Sequence, residues 1–214
     1  MNTIQLKSTL PEVFLNRDDI VSDIWGKDIT LEKGKNYLIE ANSGTGKSSL
    51  CSYIFGYRND YKGEILFDDK NIATLRQKDW TRIRNRHIAL LWQELRIFPE
   101  LTAMENVMIK NKLTGFQKKN TITQWFDTLG ISEKANTPMR FLSFGQQQRV
   151  AMIRTLCQPF DFIFVDEPIS HLDDSNALLM AGILTAEAKR QGAGVVTTSI
   201  GKHLELDYNQ TFRL

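Results

Sequence analysis

An α/β fold with a mostly parallel sheet is predicted by three features of the chain. Short apolar runs alternate with helix-like segments towards both ends, the first run closes in a Gly-rich turn that opens a helix, and the stretch from Pro99 to Pro138 is helical throughout. Parallel strands are joined by crossing helices, so both faces of such a sheet are covered and its strands read as apolar runs. The helical middle is then an insertion. With 214 residues the chain suffices for one sizeable core. A single domain over 1–214 is expected, with a helical subdomain at approximately 94–157.

Each element follows in order. Tyr37–Ala41 is a short apolar strand, Asn42–Gly46 the turn, and Lys47–Phe55 a helix. Glu64–Phe67 reads as a strand, and the Asp68-Asp69-Lys70-Asn71 cluster after it as a turn. Leu75–Arg86 is predicted helical and Ile88–Leu91 a strand. Thr102 is placed to cap a helix over Met104–Lys112, and Ile122–Leu129 is a second amphipathic segment. Gly145–Cys157 is a further helix, Phe162–Val165 a strand, Asn176–Gln191 a helix and Gly194–Thr198 a strand.

Composition excludes several classes. Hydrophobic residues at 42% and charged residues at 24% suit a packed globular core and argue against disorder. A net charge of +2 and a pI near 8.5 are too modest for a nucleic-acid protein, and none is expected as a partner. The densest basic run, Arg76, Lys78, Arg82, Arg84 and Arg86, is read as a solvated helix face. Cys51 and Cys157 are far apart and in no metal-ligand spacing, so two buried thiols in a reducing compartment are expected. Met1–Leu15 lacks the pattern of a signal peptide. No stretch reaches the roughly 18 to 20 apolar residues of a membrane span. The longest, Ala177–Ala186, contains Gly182 and is read as a buried helix.

The chemistry begins at Ala41-Asn42-Ser43-Gly44-Thr45-Gly46-Lys47-Ser48, which fits the phosphate-binding P-loop pattern at every defined position but the first, where Ala41 replaces Gly. Backbone N–H groups of such a loop and the helix N-terminus behind it form an anion nest. Contacts to nucleotide are assigned to Asn42, Ser43, Gly44, Thr45, Gly46, Lys47, Ser48 and Ser49. Lys47 reaches the β- and γ-phosphates and Ser48 ligates Mg²⁺. A plain Gly-Ser turn before a helix is the bland alternative. The flanking strand and helix favour the phosphate reading, and Ala41 is tolerable where φ is negative.

Phe162–Val165 is followed by Asp166-Glu167-Pro168, two carboxylates at the carboxyl end of a strand, where open α/β sheets bind ligands. Asp166 is assigned to the metal and Glu167 to the attacking water as general base. By itself an acidic strand end is as readily ordinary surface. The upstream P-loop decides between the two.

Leu142-Ser143-Phe144-Gly145-Gln146-Gln147-Gln148-Arg149, lying just before Asp166, resembles the signature segment of ABC-type ATPases. Gln93 in Leu91-Trp92-Gln93 is similar to that family's Q-loop, and Ser170-His171-Leu172-Asp173 to its D-loop. Five motifs in the family's order cover nearly the whole chain. The resemblance implies a P-loop NTPase core with a mostly parallel sheet, an inserted helical subdomain and a small antiparallel β part. It implies ATP and Mg²⁺ as cofactors. Ser143, Gly145 and Gln146 at a helix tip would bind the γ-phosphate held by a second subunit, Gln93 would sense Mg²⁺ and the γ-phosphate, and Asp173 would lie at the subunit interface. Phe14, ahead of the P-loop, is the candidate for stacking on adenine, with Trp25 read as a core residue.

Phe98–Val107 and Leu142–Leu156 most resemble the branch serving lipoprotein release, macrolide export and cell-division complexes. That resemblance implies an ATP-hydrolysing subunit that drives a separate integral membrane permease by ATP-dependent dimer closure. It implies a cytoplasmic subunit, peripheral on the inner face of the cell membrane and paired with a second ATPase subunit, a homodimer in preference to a heterodimer. The alternatives are a catalytically weakened regulatory subunit or a soluble ABC ATPase acting on DNA or ribosomes. Against the last stand the lack of a long heptad insertion, of a tandem ATPase domain and of a strong basic tail. Two departures point to slowed hydrolysis. Phe144 stands where the signature has Gly, and Ser199 occupies the place of the switch His, where a hydroxyl carries no charge. His203 is read as a surface residue rather than a substitute.

Overall fold

The computed structural model describes residues 1–17, 19–42, 44–168 and 173–214. Two sheets organise the chain. The larger has five strands in the order β6 (Ile88–Leu91), β7 (Phe162–Asp166), β8 (Gly194–Ser199), β3 (Asn36–Glu40) and β9 (Gln210–Arg213). All its pairings are parallel. The smaller runs β2 (Ile29–Glu32), β1 (Thr3–Pro11), β4 (Tyr61–Phe67), β5 (Lys70–Asn71) and is antiparallel. This is the α/β fold expected from the sequence.

The parallel strands are apolar because each faces packing on both sides. Side chains alternate across a strand, and along β7 Phe162 and Phe164 pack into one core cluster while Ile163 and Val165 pack into the other. Val195 and Val196 divide in the same way. One cluster lies against α1 (Lys47–Ile54) and the antiparallel sheet, with Leu6, Trp25, Tyr53 and Ile54 at 0 to 4% exposure. The other joins the sheet to α3 (Ala103–Lys112), α4 (Lys119–Thr128), α5 (Phe144–Leu156) and α6 (Asp174–Gln191) through Val107, Phe126, Val150, Ile153 and Leu184. The helices α3, α4 and α5 all lie in sequence between β6 and β7, which are neighbours in the sheet.

Local chemistry sets the ends of these helices. Thr102 caps α3 with a reciprocal capping box, its hydroxyl accepting from Glu105 N–H at 3.2 Å while Glu105 accepts from Thr102 N–H at 2.8 Å. Ser143 and Gln146 form the same box at α5. Gly192 ends α6 at φ +61°. Where β1 bulges between Lys7 and Leu10, Gly63 of β4 lies so close that a Cβ there would sit 2.4 Å from Ser8 O.

Several expectations change. The turn after β4 is confined to Asp68 and Asp69, since Lys70 and Asn71 pair with Phe67 and Leu66 as β5. The helix α2 (Gln77–Arg86) begins after a 3-10 turn over Ile72–Thr74. Its basic face is only partly solvated: Arg84 donates through Nε to Phe55 O at 3.0 Å and lies over the Tyr57 and Trp80 rings. The segment Ala177–Ala186 is not a buried helix. Met180, Ala181 and Leu184 are buried but Leu178 and Leu179 are exposed, so α6 is one-sided. Among the described residues no helix is long and apolar enough to cross a membrane. Both cysteines are free and buried, and burial pushes each thiol up from its ordinary pKa.

Candidate functional site

Sheet register brings the motifs to one edge. Glu40 pairs with Ser199, and Asp166 with Thr198, so the strand preceding the P-loop, the acidic strand and the Ser199 strand end at the same level. The loop from Ala41 leads into α1 across two left-handed glycines, Gly44 at φ +81° and Gly46 at φ +101°. Gly46 is the N-cap of α1 and supplies no side-chain cap, which leaves the first-turn N–H groups of that helix for an anion. A Cβ on Gly46 would meet the Trp25 ring at 3.1 Å and Phe14 at 3.4 Å. Trp25 also donates from Nε1 to Thr45 O at 2.9 Å, so this core residue fixes the loop from behind. Ala41 is outside the left-handed region, as its tolerance requires, and its N–H donates to Ser199 O at 3.0 Å.

Lys47 is buried and folds back over the loop, donating to Ala41 O at 3.3 Å and Asn42 O at 3.1 Å. Its ammonium also lies 3.4 Å from Glu167 Oε1. Gln93 Nε2 donates to the other oxygen, Glu167 Oε2, at 2.9 Å. Glu167 itself sits at φ +47°, a left-handed backbone uncommon for an L residue. Beside it, Asp166 is 2% exposed and accepts from Thr198 Oγ1, while its second oxygen is 3.5 Å from Ser48 Oγ. Burial, with Glu167 nearby, holds the Asp166 carboxyl above its usual range despite the Thr198 hydrogen bond and the Lys47 charge.

The donor set fits a hard divalent cation. Ser48, Asp166 and the carbonyl of Gln93 are oxygen donors, few in number, as suits an ion that keeps water and phosphate oxygens in its shell. No cluster of three or more His, Cys, Asp or Glu occurs among the described residues. A cation beside buried Asp166 would offset the burial that raises its pKa.

The other predicted residues fall into place unevenly. Ser143 is exposed at the tip of α5, with Gly145 and Gln146 on its first turn; Ser143 Oγ accepts from Gln146 N–H at 3.3 Å. Asp173 caps α6, accepting from Asn176 N–H at 2.8 Å and Ser175 Oγ at 2.7 Å. Those bonds hold its carboxyl down at about 2. Ser43, Ser170, His171 and Leu172 lie outside the described residues. Phe14 is beside the P-loop but only 8% exposed, and the Arg17 guanidinium lies 5.5 Å from its ring centroid. Ser199 is buried, its hydroxyl donating to Lys202 O at 2.6 Å. His203 is turned to Gly201 O and the Tyr208 ring.

Sequence reasoning passed over Thr198, the partner of Asp166, although a polar residue at the end of an apolar strand was the available signal. It also passed over the path from Asp173 through Asn176 to Arg149: Asn176 Nδ2 donates to Asp173 at 2.7 Å and Asn176 Oδ1 accepts from Arg149. No local pattern announces that link.

A loop of N–H donors closed by a buried lysine, with two carboxylates at the neighbouring strand end, defines a nucleoside-triphosphate site of the P-loop class. Residues 26–170 match the ABC transporter family. The "Uncharacterized ABC transporter ATP-binding protein YclH" of Bacillus subtilis (strain 168) is 36% identical over 154 residues, 70% of this chain and 67% of the relative. The "Lipoprotein-releasing system ATP-binding protein LolD" of Bacteroides fragilis (strain YCH46) is 32% identical over 154 residues, 71% of each chain. The dimeric bacterial ABC transporter cassette MJ0796 superposes with a TM-score of 0.77 at 25% identity, covering 92% of this chain and 87% of that one. The same cassette, in a post-hydrolysis state bound to ADP and Pi, gives 0.73. The chain belongs to the ABC transporter family, and it is an ATP-binding subunit with the ATPase fold of that family.

Proposed function

We propose that the chain hydrolyses ATP between two facing subunits and thereby drives a separate integral membrane permease from the cytoplasmic face of the membrane. The observation that carries the catalytic part is the Lys47–Glu167–Gln93 arrangement. A carboxylate at a strained backbone position is held between a P-loop ammonium at 3.4 Å and an amide at 2.9 Å. Strain of that kind collects where surrounding structure fixes a functional group.

In this reading residues 42–49 wrap the phosphates, with Lys47 leaving Glu167 to pair with the β- and γ-oxygens. Ser48, Asp166 and Gln93 would hold Mg²⁺, and with it charge neutralisation would be supplied at the phosphate oxygens. Glu167, freed from Lys47, accepts the proton of the attacking water, and Gln93 keeps its carboxylate aimed. Phe14 stacks on the base, Ser143, Gly145 and Gln146 close on the γ-phosphate of the partner's ATP, and Asp173 lies at that interface. Residues 94–157 form a helical subdomain of a single domain. The partner subunit is a second copy of this chain. The MJ0796 cassette, dimeric and also seen with ADP and Pi, supports the shared site.

The permease reading is supported by a cleft of about 400 Å³ along β6, the edge strand of the parallel sheet. Arg84, Arg96, Lys110 and Arg154 line it without an acidic residue, among Trp92 and the exposed Tyr57 and Phe98. An amphipathic segment bearing carboxylates complements it.

Hydrolysis is slow in this subunit. Ser199 stands at the switch position with its hydroxyl already committed to Lys202 O, and Phe144 stands where the signature has Gly. A regulatory subunit with a weakened site is the second reading, favoured by that same commitment. Nucleotide binding and phosphate release separate the steps: Lys47→Ala loses ATP affinity, whereas Glu167→Gln keeps affinity and lowers turnover by about 10²- to 10⁴-fold. Unchanged affinity in the first variant, or unchanged turnover in the second, overturns the assignment.

A further inference from the structure

Gln93 faces Glu167, and the backbone just after it takes an uncommon course. Leu95 and Arg96 have φ of +54° and +46°. Two successive left-handed residues without glycine are disfavoured, since each Cβ crowds the following carbonyl. Arg96 N–H reaches back to Glu94 O at 2.6 Å, closing a tight turn. A path of this kind persists only where neighbouring structure over-determines it.

One side chain from another element does so. Arg154, near the C-terminal end of α5, donates from Nη1 to Arg96 O at 2.9 Å and from Nη2 to Leu95 O. Both strained residues are therefore held by one guanidinium. Its planar fork suits two adjacent carbonyls in a way a lysine ammonium does not. From the other side, the Arg96 guanidinium lies 3.5 Å from the Trp92 ring centroid, next to Gln93. Leu95 is 2% exposed and packs with Val107 and Ile153 in the same core cluster.

We infer that Arg154 is a positioning residue for hydrolysis, holding the Leu95 and Arg96 carbonyls in the strained turn that keeps Gln93 on Glu167. The inference rests on the reading of Glu167 as general base. It gives α5 two ends with separate tasks: Ser143 at the tip and Arg154 against the loop. A shift of α5 then moves Gln93 as well.

The test uses the full chain, with phosphate release and hydrogen exchange measured on each variant. Arg154→Ala is expected to lower kcat about tenfold or more while KM for ATP stays within about twofold. Amides of residues 94–97 should exchange about tenfold faster or more, with those of α1 unchanged. Arg154→Lys should recover less than half of the lost rate. Adding Arg96→Gly to Arg154→Ala, which relieves the left-handed residue, should restore about threefold or more and slow the exchange again. Unchanged exchange at 94–97 in Arg154→Ala overturns the inference, as does faster exchange spread equally over α1 with no rescue by Arg96→Gly. Where wild-type turnover is too slow to resolve, the exchange measurements decide alone. If Glu167→Gln lowers turnover and Arg154→Ala does not, only the role of Arg154 fails. If Glu167→Gln has no effect, the site reading fails and takes this inference with it.

Discussion

Glu167 at φ +47° and the pair Leu95 and Arg96 at +54° and +46° concentrate backbone strain at the two ends of a single hydrogen bond, Gln93 to Glu167. Each left-handed L residue costs about 1 to 2 kcal/mol relative to the right-handed region, which surrounding contacts must offset. Ser199 is the contrasting case. It sits in an ordinary strand, fully enclosed, with its one donor spent on Lys202 O. Ser199→Ala is therefore expected to leave ATP turnover within about twofold while lowering stability by about 1 kcal/mol through the lost buried hydrogen bond. Phosphate release paired with denaturant unfolding checks both halves. A tenfold fall in turnover without loss of nucleotide affinity would show the hydroxyl at work in the reaction.

At the scale of elements, Asp173 shows how a capping carboxylate secures a helix start. Its carboxylate accepts from the first-turn N–H of Asn176 and from two side chains, and those bonds hold it at about 2. A carboxyl depressed in the folded state contributes stability above its unfolded value, near 3.9, and loses that contribution as pH falls towards its folded value. Acid unfolding of α6 should accordingly steepen between about pH 4 and pH 2, and Asp173→Asn, which keeps the cap without the charge, should flatten that window. Helix signal followed by circular dichroism in both proteins is the measurement, and identical profiles would remove the claim. The elements that carried these features were visible in the sequence wherever burial was two-sided or a cap was explicit. Ile88–Leu91 and Phe162–Val165 are apolar because both faces are covered, and Thr102 with Glu105 is a complete capping pair. The strands β1, β2 and β9 went unread for the opposite reason. The last buries only Phe212 within its span, β2 only Leu31, and β1 is interrupted by its bulge. The P-loop, Asp166, Glu167 and the signature turn were legible as local patterns. Arg154 and the Asn176–Arg149 link were not, because their partners lie 27 to 59 residues away in sequence and no spacing rule connects them.

The whole molecule presents its nucleotide chemistry on one open edge. The P-loop, Asp166 and Glu167 end at a common level of the sheet, whereas Ser143 stands exposed at the tip of α5, its hydroxyl engaged in the local capping box with Gln146. A helix N-terminus favours an anion, and a second copy related by twofold symmetry would present each tip to the other's phosphates. Closure should then depend on ATP and on slow hydrolysis together. In Glu167→Gln the γ-phosphate persists, so ATP with Mg²⁺ is expected to convert the chain from one copy to two, read as a doubling of mass by sedimentation. ADP should leave it single. Ser143→Arg, which fills the tip with a bulky cation, should weaken this dimer about tenfold or more without altering the affinity of the single chain for ATP, since Lys47 and the loop that binds it are untouched. Failure of ATP to bring two Glu167→Gln copies together, under conditions where nucleotide binding is demonstrated, would assign Ser143 to capping alone and leave the catalytic edge to be completed by a different chain.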